Sequence, residues 1–465
     1  MLYINSQYYK IATFIATLFI YALCLFFGEI DAVDRAASSL ILIFGVYFAF
    51  RPNNFLHPAN FIFANYLLYL LMPYSIFLVY REFEIEYLLP WGIINDWSKV
   101  SSSALTHFEL TFLLFFLSTT FFYSKLARDR SFKGNTEIVC LYEISAPAVM
   151  VLTGVVFIGC ALFFNLTGGV STWLSNYSEA YITGKAGIGL LNYSLIISAH
   201  LLAFIAGWMK WRDSQRFSKL VWASILVTLF ACMFLQGVKS RIPLILFFFL
   251  TPKLIFSELK LNRAIIYFLL LIILFSVGMY FRSGGFYDTP RLAIEYLQSY
   301  FNTIFLHDIV LNDPAVYDSF GSMLRGFNKF RELVGDQVPR EKYDLSVALT
   351  QNYFPDDWYN DGATQQWPIE TDLYLTFSNP LFWVIPIFGY ALIITMIGRV
   401  AMQGAPFFLF LYGAELVRIM SIFRSGLLTW DLLILIVYYV FIFFVCRLFL
   451  FREKLGVKIS AAEAL

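Results

Sequence analysis

The chain has 465 residues, of which 59% are hydrophobic, 20% aromatic and 14% charged, and its mean hydropathy is +0.69. Soluble domains carry roughly 25% charged residues, so this composition excludes a water-soluble globular protein and indicates an integral membrane protein. The formal net charge of +1 excludes the strongly basic surface with which proteins bind nucleic acids. The five cysteines lie in or beside apolar runs without CxxC spacing, which is typical of small core residues.

Apolar runs of a length suited to crossing a bilayer recur along the chain. Runs of about 17 to 25 residues predict about twelve transmembrane helices, within a range of about 11 to 14, and hence an all-α polytopic membrane protein. The first run is long enough to be retained as a span rather than removed as a signal peptide. In chain order, the expected spans are 9–28, 36–50, 58–80, 103–124, 145–164, 189–208, 219–236, 242–257, 264–281, 380–398, 405–422 and 427–447.

These spans divide the chain into three segments. Residues 1–281 predict an N-terminal bundle of about nine spans, 282–379 a large external segment, and 380–465 about three further spans followed by a cytoplasmic tail. Lys and Arg concentrate in alternate loops and near both ends of the chain, and such residues favour the cytoplasmic side of a membrane. We therefore expect both termini in the cytoplasm and the long segment on the opposite side.

Basic residues also occur on the expected external side, where they are disfavoured. Lys239 and Arg241 lie in a tight turn after the seventh span. Arg282 begins the external segment, and Arg424 lies in the turn before the last span. Snorkelling at the lipid interface explains any one of them. Because all three places have Ser or Gly beside a forked Arg donor, they favour a phosphate or diphosphate site at the outer leaflet.

The external segment is rich in aromatic and charged side chains, a mixture that suits sugars. Aromatic rings stack on sugar C–H faces, while carboxylate and guanidinium groups bind hydroxyls and phosphates. Residues 291–310 have apolar residues near helical spacing, which predicts a helix lying flat on the membrane or against the bundle. Side chains expected to contact a glycan or its phosphates are Lys239, Arg291, Asp361, Asp372, Tyr374, Trp367 and Tyr181.

Ionisable residues in the apolar spans have plainer interpretations. Glu415 and Arg418 lie three residues apart on one helix face, which predicts an ion pair that orders the bundle. His200 is interpreted as a satisfied core residue. His307 belongs to the flat helix, where we expect it to face the external medium as a candidate general base.

This arrangement resembles the oligosaccharide repeat-unit polymerases of bacterial surface polysaccharide synthesis, the O-antigen polymerase type. The resemblance rests on many aromatic-rich spans, a Ser240-Arg241 turn before a helix, and a large external segment late in the chain. That segment ends in Glu-x-Asp-x-Tyr at Tyr374, and an Arg-Ser-Gly turn at Arg424 precedes the final helix. The resemblance implies a GT-C-like bundle with short amphipathic helices in its external loop, a place in the bacterial inner membrane, and a periplasmic active site.

The resemblance also implies a reaction. A growing glycan on undecaprenyl diphosphate would be transferred to the non-reducing hydroxyl of a new lipid-linked repeat unit. Arg241, Arg282 and Arg424 would stabilise the departing diphosphate, assisted by Lys239 and Arg291. The candidate bases are Glu370, Asp361, Asp372 and His307. No metal or nucleotide cofactor is expected because the sugar is already activated, and the expected partners are lipid-linked oligosaccharides, membrane lipid and a chain-length regulator of the same pathway.

Other functions stay open at this point. An O-antigen ligase would use the same donor but a lipid A core acceptor. A glycosyltransferase that uses lipid-phosphate sugars would place an acidic motif in its first external loop, where this chain has Glu29-Ile30-Asp31. A flippase or transporter would show polar or Gly/Pro-broken helices in paired halves, which the plain Phe/Leu/Ile spans do not favour. A receptor or a purely structural membrane protein is a further alternative.

Overall fold

The computed structural model describes residues 6–27, 31–88, 96–126, 142–175, 188–212, 217–236, 238–255, 289–320, 337–360, 364–402, 405–427 and 449–453, with isolated residues between these ranges. The described part is predominantly helical. Two short strands, β1 (Tyr142–Ile144) and β2 (Phe451–Glu453), pair in antiparallel orientation. The predicted helical fold class is therefore confirmed for the described part of the chain.

The helices are numbered here in chain order. The first ten are α1 Ser6–Phe27, α2 Ala32–Phe50, α3 Pro58–Tyr66, α4 Met72–Glu82, α5 Ser102–Leu126, α6 Ala146–Leu166, α7 Gly169–Ser175, α8 Gly189–Trp211, α9 Lys219–Gln236 and α10 Val238–Leu254. The later ones are α11 Pro290–Phe301, α12 Thr303–Leu311, α13 Pro314–Phe320, α14 Leu345–Tyr353, α15 Pro355–Tyr359, α16 Ile369–Thr376, α17 Val384–Ala401 and α18 Pro406–Ser425.

Eight helical stretches of the described residues are long and apolar enough to cross a membrane. They are Tyr9–Phe26, Ala32–Phe50, Pro58–Glu82, Ser102–Lys125, Ala146–Leu166, Leu191–Trp211, Pro380–Ala401 and Pro406–Phe423. The seventh and eighth expected spans appear as shorter apolar helices, Lys219–Leu235 and Ile242–Leu254. The expected spans 264–281 and 427–447 lie mostly outside the described residues. The chain is thus a membrane-embedded helical protein.

Local sequence signals explain several helix ends. Asp31 precedes α2, and its side chain accepts a hydrogen bond from a backbone N–H of the first turn. Pro58 begins α3, where a missing N–H costs no helical hydrogen bond, and His57 Nδ1 caps the same turn. A π turn, Leu67–Leu71, joins α3 to α4 just before Pro73. This local widening accommodates the proline, so the span is one continuous helical stretch.

Contacts divide the chain into two compact units that are not consecutive in sequence. The first unit comprises Met1–Asp129, Thr289–Met396 and Glu415–Tyr438. The second comprises Arg130–Asp288, Ile397–Ala414 and Tyr439–Leu465. Most of the expected external segment therefore packs within the same unit as the first five helices.

A buried ion pair connects three spans of the first unit. Arg35 Nη1 and Nη2 donate to Glu109 Oε1 and Oε2 over 2.5 and 2.7 Å. Tyr21 Oη donates to Glu109 Oε2 over 2.7 Å, and the hydroxyls of Ser39 and Thr106 accept further bonds from the guanidinium group. Because both charges have close partners, the pair ties α1, α2 and α5 together with its polar groups satisfied.

The segment expected to be external folds against the spans of the first unit. Helices α11 and α12 are separated at Asn302, and α11 packs on α4 while α12 packs on α5. The ring of Phe301 lies 5.2 Å from that of Tyr69, and the ring of Phe305 lies 5.9 Å from that of Trp97. Of the two placements expected for residues 291–310, packing against the bundle is confirmed.

The second unit packs α8 closely on α10. A Cβ atom at Gly207 would come within 2.0 Å of the Phe249 carbonyl oxygen, so only glycine allows this approach of two helix backbones. Between α6 and α9, the buried thiols of Cys160 and Cys232 lie 3.4 Å apart and are not joined by a disulfide. Their packing confirms, for these two cysteines, the prediction of core residues.

Candidate active site

Helix α16 carries the Glu-x-Asp-x-Tyr sequence and is anchored by apolar side chains. Pro368 precedes the helix with extended backbone, and Ile369 and Leu373, one turn apart, are both 0% exposed. Between them lies the buried tripeptide (Glu370, Thr371, Asp372), whose three side chains are polar and also buried. Buried polar groups require partners, and each member of the tripeptide is contacted by a different element of the first unit.

Glu370 is held by a tyrosine of the third span. Tyr66 Oη donates to Glu370 Oε1 over 3.0 Å, while the buried Oε2 has no hydrogen-bond partner in the described part of the chain. Burial raises the pKa of Glu370 to about 8, against an ordinary value of 4.5, although the Tyr66 hydrogen bond acts in the opposite direction. At neutral pH the carboxyl group therefore holds its proton and is a hydrogen-bond donor.

Thr371 is the end of a chain of hydrogen bonds. Its Oγ1 lies 3.0 Å from Nδ1 of His307 in α12, and His307 Nε2 lies 2.9 Å from Nδ1 of His107 in α5. His307 is 0% exposed, so the prediction that it faces the external medium is wrong: α12 turns this face toward α5 and α16. Burial, with His107 adding to the effect, lowers the pKa of His307 well below its ordinary value.

Asp372 lies against the residue that follows α18. Gly426 has φ of +84°, and a Cβ atom built on it would meet Asp372 Cβ at 2.7 Å and Oδ2 at 2.8 Å. Arg424 and Ser425 form the last turn of α18 rather than a separate turn, and the glycine ends that helix in left-handed conformation. The Arg-Ser-Gly sequence and the Glu-x-Asp-x-Tyr sequence thus meet in the first unit.

Aromatic rings lie beside the buried tripeptide. The half-buried Tyr374 ring is 6.0 Å from the ring of His107 and 5.9 Å from that of Tyr317. The Trp383 ring is 4.8 Å from that of His107. Trp383 is 0% exposed, so of these two rings only the partly exposed Tyr374 ring is accessible for stacking on the apolar face of a sugar.

Two predicted binding residues have internal roles in this structure. Arg291 donates from Nε to Glu295 Oε1 over 3.2 Å and from Nη2 to the carbonyl oxygen of Glu86. A cavity of about 320 Å³ opens beside Glu86. Trp367 is 1% exposed and packs in a core with the rings of Tyr353, Phe354 and other residues of α12 to α16. Trp367 is therefore a core residue, and its ring is not accessible for stacking on a sugar.

The other predicted site residues are described in part or not at all. Lys239 and Arg241 belong to the first turn of α10 rather than to a loop, and their side chains lie outside the described parts, as does that of Arg424. The remaining predicted residues, Arg282, Asp361 and Tyr181, fall outside the described residues.

In α18, Glu415 and Arg418 each contact a third residue instead of forming the predicted ion pair. Tyr390 Oη donates to Glu415 Oε2 over 2.9 Å, and the guanidinium group of Arg418 lies over the Tyr390 ring at 5.4 Å. No direct Glu415–Arg418 contact occurs among the described ion pairs, so that prediction is wrong. The reason is that a tyrosine of α17 fits between the two side chains.

Two residues of the site were not indicated by the sequence. His107 and Tyr66 lie inside apolar spans, and in the sequence each is a polar residue on a mostly apolar membrane helix. Their partners are 200 and 304 residues away, beyond the reach of any local pattern. The available signal was that polar side chains inside a span usually face protein partners.

The described residues contain no cluster of three or more His, Cys, Asp or Glu side chains that could hold a metal ion. Comparison of the chain with protein-family models, with curated proteins and with solved structures finds no match in any of the three. The chemistry of the site must therefore be argued from its own residues.

Proposed function

We propose that this chain is a glycosyltransferase that polymerises undecaprenyl-diphosphate-linked oligosaccharide repeat units at the outer face of a bacterial inner membrane. The observation that carries the proposal is the contact between Gly426 and Asp372. It joins two of the sequence features on which the resemblance to repeat-unit polymerases rests. A basic residue suited to a diphosphate and a carboxyl group suited to a sugar hydroxyl thus belong to neighbouring backbone segments.

In the proposed reaction, a hydroxyl of the acceptor sugar attacks the anomeric carbon of the donor glycan. The new C–O bond forms as the bond from that carbon to the diphosphate breaks, and the electron pair leaves with the diphosphate. Asp372 accepts the hydroxyl proton as general base, and Arg424 stabilises the charge that develops on the diphosphate. Glu370, protonated at neutral pH, supplies a hydrogen-bond donor rather than the base.

The proposal is tested by mass spectrometry of the lipid-linked glycans in cells that lack the chromosomal copy and carry a variant. We expect D372N to lower chain extension by about 10²-fold or more because the base is lost. R424A should lower chain extension by about 10²- to 10³-fold, which is the typical effect of removing one well-placed hydrogen-bond donor to a developing negative charge. In both, single repeat units should accumulate on the lipid. R399A, at the expected cytoplasmic end of α17, is the matched arginine control and should extend chains normally.

Two outcomes would contradict the assignment, and a third would contradict the choice of base. Wild-type chain lengths in both D372N and R424A would exclude the site. Full-length chains accumulating on the lipid would indicate a ligase instead of a polymerase. Equal losses in E370Q and D372N would contradict the choice of Asp372 over Glu370 as the base, because glutamine keeps a hydrogen-bond donor at position 370.

A further inference from the structure

The bond between His107 and His307 connects a membrane span to the acidic helix. His107 lies in the second turn of α5 and is only partly buried, whereas His307 and Thr371 are both 0% exposed. Both ring nitrogens of His307 are engaged, one by Thr371 and one by His107, over 3.0 and 2.9 Å. The proposed reaction assigns no step to these three residues, so their arrangement needs a separate explanation.

The protonation state of His307 restricts which atoms can donate in the two hydrogen bonds of its ring. A neutral imidazole has one donor and one acceptor nitrogen, and the lowered pKa of His307 keeps it neutral. If the Thr371 hydroxyl donates to His307 Nδ1, Nε2–H must donate to His107; if His107 donates, Nδ1–H must donate to Thr371. In either direction, loss of His107 leaves a buried nitrogen of His307 without a partner, which is unfavourable.

Thr371 lies in sequence between the two acidic residues of α16. Glu370 is fixed by Tyr66 of α3 and Asp372 meets Gly426, so the chain through His307 is the third attachment of the buried tripeptide. Helix α16 has no side-chain cap at its N-terminus, and it is only 8 residues long. A short helix of this kind depends on tertiary contacts for its orientation.

We propose that His107 is a positioning residue for the acidic helix α16, acting through the hydrogen bonds that link His107, His307 and Thr371. Through these hydrogen bonds, α5 sets the rotation of α16 and with it the placement of the two carboxyl groups. The kinetic part of this inference rests on the proposed function, whereas the hydrogen-bond chain itself does not.

The hydrogen bonds that link His107, His307 and Thr371 are tested directly by nitrogen NMR of the protein labelled with ¹⁵N-histidine in lipid bilayers. The sequence has four histidines, so the signals can be assigned with one variant for each. We expect a scalar coupling between His107 Nδ1 and His307 Nε2 across their hydrogen bond, and one protonated nitrogen in each ring. Absence of that coupling at neutral pH, or a doubly protonated His307, would overturn the inference whatever reaction the protein performs.

The positioning role is tested by paired substitutions in the polymerisation assay. H107N keeps a polar group near the Nδ1 position and should retain activity, whereas the apolar H107F should lower kcat by up to about 10²-fold through misplacement of the carboxyl groups. KM should change much less. H200F, on the second unit, is the histidine control and should leave kcat unchanged.

A second pair of variants, at Thr371, tests the positioning role even if H107F does not fold. T371S retains the hydroxyl that His307 contacts and should behave as the wild type, while the isosteric T371V should lose kcat as H107F does. Wild-type kcat in T371V, or equal losses in H107N and H107F, would overturn the positioning role. An intact nitrogen coupling in a wild-type protein that does not extend glycans would count against the proposed function instead.

Discussion

Replacement of Gly426 by alanine tests the contact on which the site depends. Gly426 has φ of +84°, and an alanine Cβ would lie 2.7 Å from Asp372 Cβ. Adding a Cβ to left-handed backbone costs about 1 to 2 kcal/mol, and forcing an extra methyl group into packed surroundings costs about 1 to 3 kcal/mol. Because the nearest atom is the Cβ rather than the flexible end of the aspartate, we expect both costs, about 2 to 5 kcal/mol in all.

Two other glycines separate these costs. Gly169 also has positive φ, +65°, but a Cβ there meets nothing within 4 Å, so G169A should lose only the backbone contribution of about 1 to 2 kcal/mol. Gly389 lies inside α17, and a Cβ there also meets nothing within 4 Å. G389A should therefore be neutral or more stable by about 0.5 to 1 kcal/mol, since alanine favours helix.

The assay is unfolding of the full chain in detergent micelles, followed by tryptophan fluorescence, together with chain extension in cells. From most to least stable, the expected order is G389A, G169A and G426A. Only G426A should reduce glycan chain extension, because it displaces Asp372. If G426A is as stable as G169A, then Asp372 does not pack on the end of α18. The physical basis of the proposed site would be lost with that contact.

Two further predictions concern buried charges. E109Q leaves Arg35 buried without its counter-charge, so it should cost about 3 to 5 kcal/mol, whereas K99A breaks an exposed ion pair with Asp96 and should cost less than about 1 kcal/mol in the same unfolding assay. Glu370 has its pKa raised to about 8 from 4.5, so the folded protein binds this proton more tightly than the unfolded chain. The contribution of Glu370 to stability is complete below pH 4.5 and is lost as pH rises through 8. Between these pH values, the thermal midpoint of E370Q should fall less than that of the wild type. Equal falls in the two proteins would contradict the raised pKa of Glu370.

The sequence predicted the apolar spans well because a bilayer imposes a length that can be read locally. The spans from 58 and from 103 appear as Pro58–Glu82 and Ser102–Lys125. The same logic could not predict how polar residues inside the spans pair. Glu415 and Arg418 satisfied the helical spacing of an ion pair, yet a tyrosine of α17 separates them, since spacing on one helix says nothing of what a neighbouring helix inserts.

The sequence selected ionisable residues that lie close together in the structure, but it did not indicate their surroundings. Glu370, Asp372 and His307 were selected as ionisable groups in an aromatic, polar segment. In the structure, Glu370 and Asp372 lie on α16, and His307 of α12 contacts Thr371 between them. Their burial was not predicted, because the segment was expected to be external and His307 was expected to face the external medium. That difference changes the chemistry: a water-exposed Glu370 would be an ordinary carboxylate, whereas the buried one holds its proton at neutral pH.

The protonated state of Glu370 bears on how a diphosphate would approach this site. If a lipid diphosphate binds beside the end of α18, as proposed, every ionised carboxyl group of α16 repels it. Two like unit charges about 6 Å apart repel each other by roughly 3 kcal/mol at an effective dielectric constant of about 20. Burial removes this cost for Glu370 while keeping its oxygen atoms available for hydrogen bonds. An acidic helix can then lie beside a site for a strongly anionic lipid, because Glu370 carries no charge at neutral pH.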